Sequence, residues 1–142
     1  MQQQLQPFHL AIPVTSLKPS RTFYRETLGC EEGRSSDHWV DFNFFGHQLV
    51  LHVKEPAQEI SENTNPVDGK DVPIPHFGVV LSMEQFKNFA NRLKENGITF
   101  IIEPYIRFQG KTGEQATMFF KDPSGNALEF KALKNIDQLF AN

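Results

Sequence analysis

Phe119-Phe120-Lys121-Asp122-Pro123-Ser124-Gly125-Asn126-Ala127-Leu128-Glu129-Phe130-Lys131 reads as two strands joined by a turn. Pro presets φ, Gly accepts φ > 0, and the Asp side chain can bond the backbone just ahead of it, so residues 122–125 predict the tip of a β-hairpin. Along the second strand Leu128 and Phe130 fall on one face, and Ala127, Glu129 and Lys131 on the other. Glu129 thus lies mid-strand between two large apolar neighbours. A carboxylate there is costly unless it is paired, hydrogen-bonded or bound to a metal.

Working outward, the rest of the chain supplies candidates. Residues 8–14 (Phe-His-Leu-Ala-Ile-Pro-Val) alternate, with Phe8, Leu10, Ile12 and Val14 one way and His9, Ala11 and Pro13 the other. That predicts a half-buried strand, placed by Pro13 at an edge or near its end. Ser16-Leu17-Lys18-Pro19 predicts a helix start, and Gly29 its end. An aromatic strand over 39–45, a turn at Gly46 and a strand over 47–53 complete a β-α-β-β-β unit. The pattern then returns. Residues 75–81 form a strand that again has a histidine, His76, as its second residue. Ser82-Met83-Glu84-Gln85 is a capping box, and Phe86, Phe89, Ala90 and Leu93 follow at helical spacing up to Asn96-Gly97. A strand over 99–103 precedes the hairpin, whose strands span 115–120 and 126–132.

The expected fold class is therefore α+β: two βαβββ modules whose free faces curl into a cup-shaped half-barrel. The chain divides into a first module over about 6–54, a connector over 55–73, a second module over about 74–133 and a tail over 134–142. The connector reads as a crossover or flap without periodicity. The tail predicts one turn of helix with Ile136, Leu139 and Phe140 inward.

Composition narrows the function. The 142 residues carry a formal net charge of -3, which points away from nucleic acid and anionic membranes. No apolar run approaches the ~20 residues of a spanning helix. Residues 1–4 lack a signal-peptide pattern, so a cytoplasmic protein is expected. Cys30 is the single cysteine, which excludes cysteine-ligated zinc and disulfide scaffolds. The 14 Phe suggest an aromatic core or an apolar pocket.

Strand parity puts His9, His76 and Glu129 each on the face opposite the helix-packing residues. Two imidazoles and one carboxylate from three strands make a facial triad with open positions for substrate and for O₂ or water. A lone histidine beginning a strand is more often solvated or packed in a core, and Glu129 could pair with Arg107 or Lys131. The coincidence of repeat position and parity favours a metal.

These segments resemble the vicinal oxygen chelate superfamily of glyoxalases, bleomycin-resistance proteins, fosfomycin-modifying enzymes and extradiol dioxygenases. The matching stretches are 9–14 with Phe23-Tyr24 and Leu28-Gly29, then Pro75-His76-Phe77-Gly78, then 122–130. The resemblance implies a divalent metal ion on His9, His76 and Glu129, with Fe(2+) expected and Mn(2+), Zn(2+) or Ni(2+) as alternatives. It also implies a small-molecule substrate and a homodimer. More narrowly, the chain looks like small single-domain proteins of the extradiol type, which implies ring cleavage of a catecholic substrate. A lyase or isomerase, a fosfomycin-type thiol transferase and a drug-sequestering binding protein are the alternatives. Aligning Gly46 with Gly125 puts Val50 where glyoxalases carry a fourth ligand, so three ligands are expected unless His52 substitutes. For a catalytic base the resemblance points to His47, and parity to His52. Tyr105 is a further candidate for a catalytic polar group. Trp39, Arg107, Phe108, Thr117 and Phe119 are the candidate substrate contacts. One departure stands out. The ring-cleaving signature has a Tyr ten residues before the ligand Glu and a His upstream of it, whereas this chain has Phe119 and no His over 110–115.

Overall fold

The computed structural model describes residues 4–54 and 63–141. The chain divides into two compact units, residues 1–60 and 61–142. In the first, β1 (His9–Val14) leads into a short helix α1 (Leu17–Arg21) that widens into a π turn over Thr22–Thr27, followed by β2 (Glu31–Ser35), β3 (Trp39–Phe44) and β4 (His47–Val53). The sheet order is β1-β4-β3-β2, with β1 parallel to β4 and the remaining pairs antiparallel. β1 is an edge strand, which is where Pro13 can sit without costing a ladder bond. Alternation sorts the faces as expected. Ile12, Val14, Val40, Phe42, Leu49 and Leu51 are buried, and the Tyr24 ring lies 5.7 Å from that of Phe42. Gly29 ends the helical segment at φ 82, a conformation open to glycine, and Cys30 beyond it is buried.

The second unit opens with a hairpin, β5 (Asn63–Val67) and β6 (Lys70–Ile74). Then come β7 (His76–Phe77) and β8 (Val80–Leu81), the helix α2 (Met83–Glu95), β9 (Phe100–Arg107), β10 (Gln115–Lys121) and β11 (Ala127–Leu133). β7 and β8 are one strand interrupted at Gly78, both parallel to β11, in a sheet that continues β11-β10-β9. In each βαβββ module the opening strand, β1 or β7–β8, lies parallel against the last, β4 or β11. This is a mixed α+β fold of two βαβββ modules, each with an open sheet.

Both bonds of the capping box form: Gln85 N–H donates to Ser82 Oγ at 3.1 Å, and Ser82 N–H to Gln85 Oε1 at 3.0 Å. Phe86, Phe89, Ala90 and Leu93 are buried along one stripe of α2, with Phe89 4.7 Å from the Phe130 ring. Burying each such ring contributes about 1.5–3 kcal/mol. The hairpin turn is held by Asp122, whose Oδ1 accepts the N–H groups of Ser124 and Asn126 at 2.9 and 2.8 Å.

Two expectations need correction. The connector is no structureless crossover over its described part. Asp68 and Gly69, with φ of 53 and 75, make the tight turn that joins β5 to β6; residues 55–62 lie outside the described part. The tail forms one 3-10 turn over Ile136–Gln138, but Ile136 and Phe140 point outward, at 57% and 91% exposure. The helix start expected at Ser16 is present: Ser16 is the residue before α1, and its carbonyl accepts from Ser20 Oγ at 2.7 Å.

Candidate metal centre

Glu129 projects from β11 on the face turned away from α2, where its row across the sheet is shared by Phe119 on β10 and Ile102 on β9. His76 Nε2 lies 3.1 Å from Glu129 Oε1. The other ring nitrogen of His76 is spoken for: Nδ1 sits 2.7 Å from the Pro73 carbonyl oxygen. A carbonyl only accepts, so Nδ1 carries the hydrogen, and in the neutral ring Nε2 is left as a lone pair facing a carboxylate. Two acceptors this close require a cation between them, either a proton or a metal ion. At that spacing a protonated His76 forms a charge-assisted hydrogen bond to Glu129, and both atoms could instead reach one bound ion. The residues fit a metal.

The surroundings hold that pair in place. Thr117 Oγ1 donates to Glu129 Oε2 at 2.5 Å, leaving Oε1 for His76. The Phe119 ring stands edge-on to the His76 imidazole, centroids 5.1 Å apart. Gly78 is required by steric fit: a Cβ there would fall on the Glu129 carbonyl oxygen, so only glycine lets the strand run this close beneath the acid. The hydrogen bond to Glu129 raises the His76 pKa above its ordinary value, assisted by the Pro73 carbonyl and opposed by burial. Burial works to raise the Glu129 pKa, but the hydrogen bonds from His76 and Thr117 and the charge of Lys131 outweigh it and bring it down.

His9 occupies the matching place in the first unit. The parallel register pairs His9 with Gln48 and His76 with Ala127, so the residue two beyond, Glu129 in one module, is Val50 in the other. Val50 cannot ligate. His52 shares a face with His9 but is opposite Pro13, four residues along β4 from Gln48, or about 13 Å. His9 Nδ1 lies 2.8 Å from Gln48 Oε1.

The remaining candidates have other partners. His47 Nδ1 accepts the backbone N–H of Phe8 at 2.8 Å, so the neutral ring carries its hydrogen on Nε2 and has no lone pair left for a base. Trp39 lies across from His52 at the end of β3. Tyr105 donates its hydroxyl to Asp68 Oδ2 at 3.0 Å, and Arg107 Nε donates to the same oxygen at 2.6 Å. Burial and that bond raise the Tyr105 pKa, while Arg107 and Tyr105 lower that of Asp68. The Arg107 guanidinium also covers the Phe108 ring at 4.7 Å. A bulge places Tyr105 on the Glu129 face: β9 takes three steps from Ile102 to Tyr105 while β10 takes two from Phe119 to Thr117. Sequence reasoning missed Gly78, Gln48, Asp41 and Asp68. Asp41 had a signal, because it is an acid between Val40 and Phe42 with the parity of an off-helix face.

Among the described residues no group of three or more His, Cys, Asp or Glu side chains stands together as a metal-holding set. His76 and Glu129 belong to the second unit and His9 to the first.

Residues 6–130 match the family model described as the Glyoxalase/Bleomycin resistance protein/Dioxygenase superfamily. The chain belongs to that superfamily. Its members are mostly enzymes, bind small molecules, typically with a divalent metal, and are often dimers. No curated protein matches the chain at a significant level. Among solved structures, a glyoxalase/bleomycin resistance protein/dioxygenase from Alicyclobacillus acidocaldarius is 32% identical, with a TM-score of 0.80 over 99% of this chain and 100% of that one. The fosfomycin resistance protein FosX from Listeria monocytogenes is 19% identical, TM-score 0.67, over 97% and 98%. A lactoylglutathione lyase from Agrobacterium tumefaciens is 16% identical, TM-score 0.67, over 99% and 100%. The last two share the fold. No helix among the described residues is long and apolar enough to cross a membrane.

Proposed function

We propose that the protein is a metal-dependent enzyme of this superfamily whose ion takes His76 and Glu129 as ligands, with His9 the third ligand that the resemblance implies, and that it acts on a small molecule carrying adjacent oxygens. The observation that carries the reading is the His76–Glu129 pair, two acceptors 3.1 Å apart that need a cation between them. Fe(2+) is the ion we assign, with Mn(2+), Zn(2+) and Ni(2+) as the alternatives the donor set accepts. Such an ion, when bound, supplies Lewis acidity and, as iron, reactivity toward O₂.

The chain's own contributions follow from its contacts. Glu129 brings the negative charge that offsets the ion, and Thr117 holds the carboxylate in one orientation. Phe119 packs on the His76 ring and keeps water from that side of the pair. Val50, at the position where glyoxalases carry a fourth ligand, offers no donor.

That three-donor set supports extradiol-type cleavage of a catechol as the first reading of the reaction. One observation favours a second. The ring-cleaving signature's tyrosine is replaced by Phe119, and the ring packed on His76 offers neither hydroxyl nor proton. A non-oxidative reaction, glyoxalase-like or a fosfomycin-type thiol transfer, needs neither. The reading includes a homodimer.

Elemental analysis of protein purified without chelator, beside His76→Ala, tests the site. Wild type should retain a divalent ion that the variant loses, and equal contents would refute the site. O₂ uptake by the iron-loaded protein on a panel of catechols then separates the reactions: uptake with ring cleavage supports the first, and retained metal without uptake supports the second.

A further inference from the structure

In the first unit a line of hydrogen bonds crosses all four strands. It begins at β2, where the pairing with β3 slips between Glu32 and Ser35. There the Arg34 N–H turns to Asp41 Oδ1, at 2.5 Å. A Cβ at Gly33 would collide with that same oxygen, so the approach depends on glycine. Asp41, on β3, is 8% exposed. Its second oxygen, Oδ2, accepts from Gln48 Nε2 on β4 at 3.3 Å, and Gln48 Oε1 meets His9 Nδ1 on β1 at 2.8 Å.

The chemistry of these groups fixes every hydrogen in the line. An ionised carboxylate can only accept, so Gln48 must turn its NH₂ toward Asp41 and its carbonyl toward His9. A carbonyl can only accept, so His9 must donate from Nδ1. The neutral ring then keeps its lone pair on Nε2, the same arrangement that the Pro73 carbonyl imposes on His76. His47, next in line on β4, is held in the opposite form by the Phe8 N–H.

We infer that Asp41 is a positioning residue that acts through Gln48 to set the tautomer of His9, presenting Nε2 as the free donor. The inference rests on the proposed role of His9 only for its functional consequence; the tautomer itself stands or falls separately. Outer partners of this kind fix ring orientation and raise ligand basicity, and their loss typically weakens metal binding about 10–100-fold.

The test is long-range ¹H–¹⁵N correlation on the metal-free protein in mildly alkaline buffer, where each histidine tautomer has its own pattern. Wild-type His9 should show the Nδ1–H form and His47 the Nε2–H form as an internal control. In Asp41→Asn the amide keeps an oxygen toward Arg34 N–H and turns an NH₂ toward Gln48, so Gln48 flips and His9 moves to the Nε2–H form. Gln48→Leu leaves Asp41 in place and should remove the Nδ1–H preference. A wild-type His9 in the Nε2–H form overturns the inference without any variant. So does an Asp41→Asn protein, folded by circular dichroism, whose His9 is unchanged. A zinc titration of the same samples should show the 10–100-fold weakening. Correct tautomers in a wild type that binds no metal would defeat the proposed function and leave the positioning role intact.

Discussion

Thr117→Val removes a single hydrogen-bond donor from the proposed metal centre and keeps the shape of the side chain. Thr117 is 1% exposed, so no water replaces its hydroxyl against Glu129. A hydrogen bond to an ionised acceptor contributes about 1.5–3 kcal/mol. The carboxylate loses the partner that holds Oε2, and its pKa rises from the lowered value that Thr117 helps to set. Metal binding needs that group ionised and oriented, so affinity should fall about 10–100-fold, which at 1.4 kcal/mol per decade lies within the same range. The assay is a competition titration of zinc against a chelating fluorophore at neutral pH, with Thr117→Ser as the variant that restores the donor. The sign of the pH effect on the metal-free protein is also fixed. A carboxylate with a lowered folded pKa stabilises above its unfolded value of about 4.3, and that stability is lost as pH falls through the folded value. The denaturation midpoint of Thr117→Val should therefore lie below wild type at neutral pH and converge with it in acid. Zinc affinity equal to wild type would refute the argument that this hydroxyl orients the acid.

Two further outcomes follow from the same pair. The raised pKa of His76 means that protons compete with metal at a higher pH than for an ordinary histidine, so zinc affinity should fall as pH drops through that value. In the metal-free protein the trend runs the other way: protonated His76 paired with Glu129 stabilises below the unfolded histidine value of about 6.5 and is lost as pH rises through the folded value. Urea denaturation and titration across this window should give opposite slopes, and parallel slopes would count against the pairing. Gly78→Ala places a methyl on the Glu129 carbonyl and forces β7–β8 away from β11. A loss on the order of 3 kcal/mol is expected in urea, together with metal affinity; a variant as stable as wild type would show that the strands have room to separate.

Much of the fold was legible because local chemistry and long-range pattern agreed. Asp122 to Gly125, the Ser82–Gln85 box and the repeated strand-helix opening each named an element that the structure contains. The β5–β6 hairpin escaped because Asn63–Val67 and Lys70–Ile74 each carry a proline and pair only with each other, and the two buried residues of β6, Val72 and Pro73, are adjacent rather than alternating. Asp68-Gly69 was nonetheless a hairpin signal in plain view. The bulges of β9 left no mark in composition, yet they decide that Tyr105 and Ile102 share a face. Parity identified Glu129, and the same reasoning applied to Asp41 would have found it. What parity could not supply was the direction of each hydrogen bond, because that depends on which atoms meet across strands.

The parallel seam between first and last strands has a consequence for how the chain is made. His76–Phe77 and Val80–Leu81 find their partner only when Ala127–Leu133 has emerged, some fifty residues later in synthesis. Until then the nascent second module has neither its acid nor the strand that covers its opening edge. A ribosome that stalls anywhere in that interval leaves a half-zipped sheet exposed to chaperones and proteases, whatever the merits of the finished site.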